Sequence, residues 1–248
     1  YTSDAGSKFI SNSVREVSYS IEFENDTKIA NASAHKIVVT NELDKNVFDL
    51  SSFMPTKIQI GDKTLELDGK KNFTHTIDMR PEINAIAQVD LDYNETEGVA
   101  TWTISSLDPM TMEETFDIMQ GVLPVNSNGN GIGFLSYSIG IRKQMDDGDA
   151  FSNSASITFD FEEPIETPVW TNTVDAIAPE SEITLATSVA NDITLRFDAN
   201  DNRSGVWKYN LYVQEVKDGK WTKVEDEITT SEYTFKGIEG FDYGFCVM

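Results

Sequence analysis

The sequence predicts an all-β protein composed of two tandem antiparallel β-sandwich domains. Three observations favour this fold class. Apolar and polar residues alternate in many short segments, turn-forming residues separate those segments, and no long amphipathic helical pattern competes with them. The chain has 248 residues, which suits one large domain or two of ordinary size. Its 39% hydrophobic and 25% charged residues are typical of a packed globular protein.

The first predicted domain covers residues 1–175 and contains the clearest strands. In each strand the apolar side chains share one face, which is typical of a half-buried antiparallel strand. The turns between strands are rich in Asn, Asp and Gly. In the segment "DPMTMEETFDIMQG" at 108–121 we expect one short helical turn at most. The alternating segments are 17–23, 89–93, 100–104, 135–141 and 155–161, the last with Phe159 and Phe161 on its apolar face.

The domain boundary is predicted near "NTVDAIAPES" at 172–181. The preceding "FEEPIETPVW" is interrupted by prolines, which indicates an edge strand. The second domain, residues 176–248, restarts the alternating pattern. Its predicted strands are 182–187, 191–198, 206–216, 220–224, 230–236 and 242–247.

The composition excludes several classes of partner. A net charge of −23 and a pI near 4.2 disfavour nucleic acid and anionic membrane surfaces. The same charge favours cations, and calcium above all, although a well-hydrated soluble surface is its simpler explanation. The single cysteine, Cys246, excludes a disulfide within the chain. No apolar run is long enough to span a membrane, so we expect no membrane insertion by this chain.

The two ends of the sequence suggest a fragment of a longer protein. The opening "YTSDAGSKF" is not a signal peptide, and the final "YGFCVM" is an apolar alternating run that indicates a strand cut short. We therefore expect targeting and anchoring segments, and neighbouring domains, elsewhere in the full-length protein.

The second domain carries "SGVWKYNLYVQEVKDGKWTKV" at 204–224 and "SEYTFKGIEGFDYGFCV" at 231–247. On these residues it resembles the fibronectin type III and immunoglobulin-like modules of large bacterial surface proteins. The family pattern continues beyond the position of Val247 with a final strand that this sequence lacks. The resemblance thus implies a domain that lacks its last strand and therefore has an unpaired sheet edge. Such a domain is either truncated or completed by residues outside the chain.

The first domain resembles the domain that precedes such modules in bacterial surface and adhesin-like proteins. The resemblance implies a secreted, surface-displayed multidomain protein with an extracellular location, and it does not imply an enzyme. The motifs that carry it are "IEFEND" at 21–26, "VTNELD" at 39–44, "ATWTISSLDPMT" at 100–111, "GVLPVN" at 121–126, "GIGFLSYSI" at 131–139 and "NSASITFDFEEPIETPVWTNTVDAIAP" at 153–179.

Motifs of catalysis are absent from the sequence. The histidines are His35 and His75, and His75 alternates with Phe73 and Ile77 as a strand-face residue would. No G-x-S-x-G nucleophile elbow or zinc-hydrolase motif occurs. The adjacent pair Glu113 and Glu114 is better explained as solvated charge than as a glycosidase pair. We predict that the protein is not an enzyme.

Calcium is the site hypothesis that the sequence raises. The stretch "DANDNRSGV" at 198–206 contains the string D-x-N-D-N known from cadherin linkers, but here it follows the second predicted strand of a domain. In an immunoglobulin-like module that loop faces the domain junction, which Asp175 could approach. Ordinary turn preference of Asn and Asp explains the loop equally well. The predicted metal ligands are Asp175, Asp198, Asn200, Asp201 and Asn202.

The favoured function is therefore that of a stalk, spacer or adhesive module, with calcium as a stiffening cofactor and an unidentified protein or glycan as ligand. The alternative is a glycan-binding accessory module of an extracellular carbohydrate-processing protein, which requires exposed aromatic side chains. Trp102 and Trp207 are predicted to belong to the core, whereas Trp170 and Trp221 are candidates for partial exposure.

Overall fold

The computed structural model describes residues 9–142 and 144–248 and contains only strands and loops in these ranges. The prediction of an all-β fold is confirmed. The opening residues 1–8, for which no signal peptide is predicted, lie outside the described residues. The chain divides into two compact units, unit 1 (Tyr1–Val174) and unit 2 (Asp175–Met248).

Unit 1 is a sandwich of two main antiparallel sheets. Its strands are β1 (Phe9–Ser11), β2 (Glu16–Glu24), β3 (Lys36–Glu42), β4 (Phe48–Ile60), β5 (Lys63–Glu66), β6 (Phe73–Asp78), β7 (Ile86–Asn94), β8 (Val99–Leu107), β9 (Ile132–Ile141), β10 (Ala150–Asn153), β11 (Ala155–Phe159), β12 (Ile165–Glu166) and β13 (Trp170–Asp175). The last residue of β13, Asp175, is the first residue of unit 2. The six-stranded sheet has the order β12-β11-β3-β8-β7-β6, and the four-stranded sheet the order β2-β9-β4-β5. A small third sheet has the order β1-β13-β10. As predicted from its prolines, the segment around β12 forms a sheet edge.

Aromatic side chains from both sheets fill the core of unit 1. Trp102 of β8 and Tyr137 of β9 are fully buried, and their ring centroids are 5.9 Å apart. Phe53 of β4 is stacked on Tyr93 of β7 at 4.2 Å. These contacts hold the two sheets together, and the predicted burial of Trp102 is confirmed.

A closed ring of hydrogen bonds joins three buried polar side chains in the same core. The Tyr137 hydroxyl donates to Asn41 Oδ1, Asn41 Nδ2 donates to Asn153 Oδ1 at 2.8 Å, and Asn153 Nδ2 donates to the Tyr137 oxygen at 2.8 Å. Each group thereby recovers bonds that it loses on leaving water, which burial would otherwise make costly. Burial also raises the pKa of Tyr137, so its hydroxyl remains a donor.

Unit 2 is a smaller sandwich built from β14 (Glu180–Val189), β15 (Asp192–Asn200), β16 (Tyr209–Glu215), β17 (Trp221–Ile228), β18 (Glu232–Lys236) and β19 (Tyr243–Val247). The strand orders are β14-β15-β18 and β17-β16-β19, an immunoglobulin-like arrangement in which β19 lies at a sheet edge beside β16. The two sheets pack through Leu195, Phe197, Leu211, Ile228 and Val247.

The segment 108–121 forms turns and a bridge and contains no helix, in agreement with the expectation of one short helical turn at most. One sequence expectation in a loop region is wrong. Trp207 is 76% exposed and does not belong to the core. Strand β16 begins at Tyr209, so Trp207 falls in the preceding loop, where strand alternation no longer determines which side faces the core. Its ring lies instead beneath the Lys208 ammonium, 4.4 Å from the ring centroid.

Candidate functional site

The irregular segment 108–121 of unit 1 is ordered by polar contacts. Asp108 Oδ1 accepts hydrogen bonds from the backbone N–H of Met110 at 2.8 Å and of Thr111 at 3.0 Å. Asp108 Oδ2 accepts from Gln120 Nε2 at 2.9 Å. The Gln120 bond is the main reason that the pKa of Asp108 is lowered, followed by the two backbone bonds. One carboxylate therefore joins the two ends of the segment.

A tight turn after β11 is the second element of the site. Asp160 has a φ of +49°, and its backbone N–H donates to the Lys36 carbonyl at 2.7 Å. Its Oδ1 atom accepts from the backbone N–H of His35 at 2.8 Å and of Lys36 at 2.7 Å. Asp is among the residues that adopt this left-handed conformation at low cost. Asp160 thereby fastens the turn to the start of β3.

His35 connects these two elements. Its backbone is bonded to Asp160, and its ring Nε2 lies 2.8 Å from the backbone oxygen of Asp117 in the 108–121 segment. The imidazole also packs against the Phe116 ring, with centroids 5.7 Å apart. His35 is only 9% exposed, so it is a structural link beneath the surface.

Above this link, Phe116 and Phe161 form an exposed aromatic pair. Their rings are stacked with centroids 5.5 Å apart and planes at 28°. Phe161 is 86% exposed and Phe116 50% exposed. Ile118 and Met119 in the same segment are also exposed. We call residues 113–119 together with residues 160–163 the Phe116–Phe161 surface.

The exposure of Phe161 corrects the sequence interpretation, which placed it on the apolar face of a strand. Strand β11 ends at Phe159, and the positive φ of Asp160 breaks the alternation of faces. The sequence signal that could have revealed the site is the run of apolar residues among acids in 110–119, where neither helical nor strand periodicity explains them.

A groove of about 550 Å³ adjoins this surface and shares its turn. Apolar side chains of Ile29, Phe159 and Ile165 line it together with acidic residues from two segments of the chain. Ile29 and Ile165 are exposed. The acidic residues of the groove are Glu24, Asp26, Asp160, Glu162 and Glu163.

The predicted calcium ligands divide between two places in unit 2. Asp201 Oδ2 accepts from the backbone N–H of Arg203 at 2.9 Å and of Gly205 at 2.8 Å. These bonds lower the pKa of Asp201. Asp175 Oδ2 accepts from the backbone N–H of Ser204 at 3.0 Å, so both carboxylates belong to the same loop cluster. The Oδ1 atoms of Asp175 and Asp201 are buried without a hydrogen-bond partner.

The remaining predicted ligands lie elsewhere or at the rim of this loop. Asp198 and Asn200 are exposed on β15, in register opposite Glu182 and Glu180 of β14. Because Phe197 is buried beside them, strand alternation turns Asp198 away from the core-facing side. Asn202 is exposed in the loop. Within residues 9–142 and 144–248, no group of three or more His, Cys, Asp or Glu side chains is placed to hold a metal ion.

Three of the four tryptophans are accessible. Trp207, Trp221 and Trp170 are 76%, 47% and 39% exposed, respectively. They lie in different elements: Trp221 at the start of β17, Trp170 at the start of β13 and Trp207 in the loop before β16.

The other residues considered for catalysis lie on a strand or at the surface. His75 lies on β6 beside Phe73, with ring centroids 5.0 Å apart, as its alternation predicted. Glu113 and Glu114 are exposed, and Glu114 lies 3.4 Å from the Lys36 ammonium.

The described residues 9–142 and 144–248 include no helix with the length and apolar character that a membrane span requires.

Sequence comparison finds one family match. Residues 110–174, about a quarter of the chain, are similar to a domain of unknown function, DUF7619. These residues include the 110–119 segment and the 160–163 turn. No curated protein sequence matches the chain significantly.

Structural comparison finds similar solved structures at low identity. The N-terminal domain of the Streptococcus gordonii adhesin Sgo0707 matches with 11% identity and a TM-score of 0.37, covering 68% of this chain and 31% of that one. The collagen-binding domain from a Staphylococcus aureus adhesin matches with 14% identity and a TM-score of 0.35, covering 64% and 87%. The C-terminal domain of the Streptococcus pyogenes antigen I/II-family protein AspA matches with 13% identity and a TM-score of 0.35, covering 94% and 82%. The chain thus spans less than a third of the first of these structures.

Proposed function

We propose that this chain is a non-catalytic adhesive part of a larger extracellular surface protein, and that it binds a macromolecular partner through the Phe116–Phe161 surface. The observation that carries this proposal is the stacked pair of exposed phenylalanines outside the core. Contiguous exposed apolar surface rimmed by polar residues is typical of interaction sites. Aromatic side chains are also enriched among the residues that dominate binding energy.

The fixed position of the pair supports a binding role. Phe116 belongs to a segment tied at both ends by Asp108, and Phe161 follows the turn that Asp160 fastens to β3. His35 links the two elements from below. A surface that is already ordered loses less conformational entropy on binding, which raises affinity.

Adhesion of protein-coated beads to immobilised proteins and glycans tests the proposal. We expect wild-type beads to adhere to at least one protein surface. The double variant Phe116→Ala/Phe161→Ala should reduce that adhesion by about tenfold, because it removes the central apolar contact. Trp207→Ala serves as the matched control, since it removes an exposed aromatic ring from unit 2.

Each other result has a defined meaning. Equal adhesion of the double variant and the wild type would refute the proposed surface. Adhesion to no surface would favour a pure spacer. Adhesion to glycans alone, lost with Trp221→Ala, would favour the accessory-module alternative, because aromatic platforms bind sugars by stacking.

Calcium binding in unit 2 is a second candidate function, favoured by the two buried carboxylate oxygens without partners on Asp175 and Asp201. Calcium prefers carboxylate and carbonyl oxygens, and a bound cation would compensate the charge of both groups. We expect millimolar calcium to raise the melting temperature, and Asp175→Asn/Asp201→Asn to abolish the rise. Asp198→Asn, on the outer face of β15, should leave it intact. A chain that melts at the same temperature with and without calcium would rule the site out.

A further inference from the structure

We infer that the partner segment that occupies the Phe116–Phe161 surface is a cationic, apolar peptide stretch of another protein. Its apolar side chains would pack on the phenylalanine pair, and its Lys or Arg side chains would face the acidic groove beside it. This inference rests on the proposed function and adds the chemistry of the ligand.

The residues around the aromatic pair are predominantly acidic. Residues 101–141 and 144–195 contain no Lys or Arg. The two segments of the surface and the adjoining groove contain eight acidic residues, whereas the nearby basic residues are Lys28 and Lys36. The acidic residues are Glu24, Asp26, Glu113, Glu114, Asp117, Asp160, Glu162 and Glu163. Complementary potentials of this kind favour a positively charged partner.

The groove beside the aromatic pair has a volume and a lining that suit a mixed apolar and cationic partner. The groove has a volume of about 550 Å³, within the range of about 300–1,000 Å³ that is usual for ligand-binding pockets. The groove is lined by the apolar residues Ile29 and Ile165 and by acidic residues of the 160–163 turn, which also carries Phe161 of the aromatic pair. A partner must therefore offer apolar and cationic groups close together, which a short mixed peptide does.

Two acidic side chains beside the aromatic pair are accessible to a partner. Glu162 and Glu163 are exposed next to Phe161. Glu114, by contrast, lies 3.4 Å from the Lys36 ammonium and forms an ion pair with it. Exposed charges attract a partner over roughly a Debye length, about 10 Å at 0.1 M salt. Binding should consequently depend strongly on ionic strength, unlike binding to a purely apolar patch.

Titration calorimetry on the whole chain tests the inference with three short unstructured peptides. In the first, Lys alternates with Leu; in the second, Glu replaces Lys; in the third, Ser replaces Leu. Of the three peptides, only the Lys/Leu peptide should bind measurably. Its binding should weaken at least about tenfold when the salt concentration rises from about 0.05 M to about 0.5 M.

Two variants of equal charge separate a local site from the general acidity of the chain. Glu162→Gln/Glu163→Gln should weaken binding of the Lys/Leu peptide about tenfold. Glu180→Gln/Glu182→Gln in unit 2 changes the net charge by the same amount and should change binding less than about twofold. Phe161→Ala should weaken binding about tenfold, and an unchanged melting temperature would show that its fold is intact.

The inference fails if both charge variants behave alike, if the Glu/Leu or Lys/Ser peptide binds as well as the Lys/Leu peptide, or if the Lys/Leu peptide does not bind. The proposed function can survive each of these results. It stands if bead adhesion to a protein still depends on Phe116 and Phe161 but not on Glu162 and Glu163. Both ideas fail if the double phenylalanine variant adheres and binds like the wild type.

Discussion

The rings of Phe116 and Phe161 are stacked 5.5 Å apart on the surface of unit 1, although they come from different loops of the chain. Each residue sits on an element that is bonded to His35, one through Asp117 and the other through Asp160. Hydrogen bonds between distant segments, made by His35 beneath the pair, therefore position the two rings. The stability of these hydrogen bonds determines the geometry of the Phe116–Phe161 surface.

The turn carboxylate of Asp160 should be a major support of the site. Asp160→Ala removes the acceptor for two backbone N–H groups and places at positive φ a residue without the short polar side chain that favours this conformation. We expect a loss of about 1–3 kcal/mol in the unfolding free energy of unit 1 by denaturant titration. Asp160→Asn keeps an acceptor oxygen and tolerates the left-handed conformation, so it should retain most of the stability. Equal destabilisation by both variants would show that charge, not the hydrogen bonds, is decisive.

The polar ring in the core provides a second test. Tyr137→Phe leaves Asn41 Oδ1 and Asn153 Nδ2 without the hydroxyl partner, and we expect a loss of about 1–3 kcal/mol. Tyr19→Phe is the matched control, because the buried Tyr19 hydroxyl has no hydrogen-bond partner. Its removal should cost less than about 0.5 kcal/mol or increase stability. Similar losses in the two variants would contradict the assigned role of the ring.

Substitution of a buried and of an exposed tryptophan should have different effects on stability. Trp102→Ala should destabilise unit 1 by about 3–5 kcal/mol, because it leaves a large cavity between the two sheets. Trp207→Ala should change the stability of unit 2 by less than about 0.5 kcal/mol, since the side chain is 76% exposed. Thermal unfolding of both variants measures the contrast, and a large effect at position 207 would place its ring in a core after all.

Asp78 tests the electrostatics of unit 1. Hydrogen bonds from the Arg80 side chain, followed by the Arg80 backbone N–H, lower the pKa of Asp78 to about 2. A folded-state pKa below the unfolded value of about 3.9 stabilises the fold above that value. This contribution is lost as the pH falls from about 4 to about 2.

NMR titration of the Asp78 carboxyl carbon provides the measurement. In Arg80→Gln the midpoint should return towards about 3.9, because the charged donor is gone. Lys70→Gln is a suitable control, as Lys70 pairs with Asp68 and not with Asp78. An unchanged Asp78 midpoint in the Arg80 variant would exclude the ion pair as the cause.

The sequence by itself determined the all-β class, the burial of Trp102 and the edge position of β12, because alternation and proline are local signals that strand pairing preserves. It also directed attention to Asp175 and Asp201, yet it grouped Asp198 with them. Only the folded chain turned Asp198 outward on β15 while the loop brought Asp175 and Asp201 together around Ser204 and Gly205.

The tertiary structure alone decided the candidate binding surface. A single positive φ at Asp160 ends the alternation of β11 and carries Phe161 to the outside. The bonds that then fix it, from His35 and Lys36 to Asp160, join residues more than a hundred positions apart. No local periodicity encodes such contacts, because their free energy arises only when distant segments are already packed together.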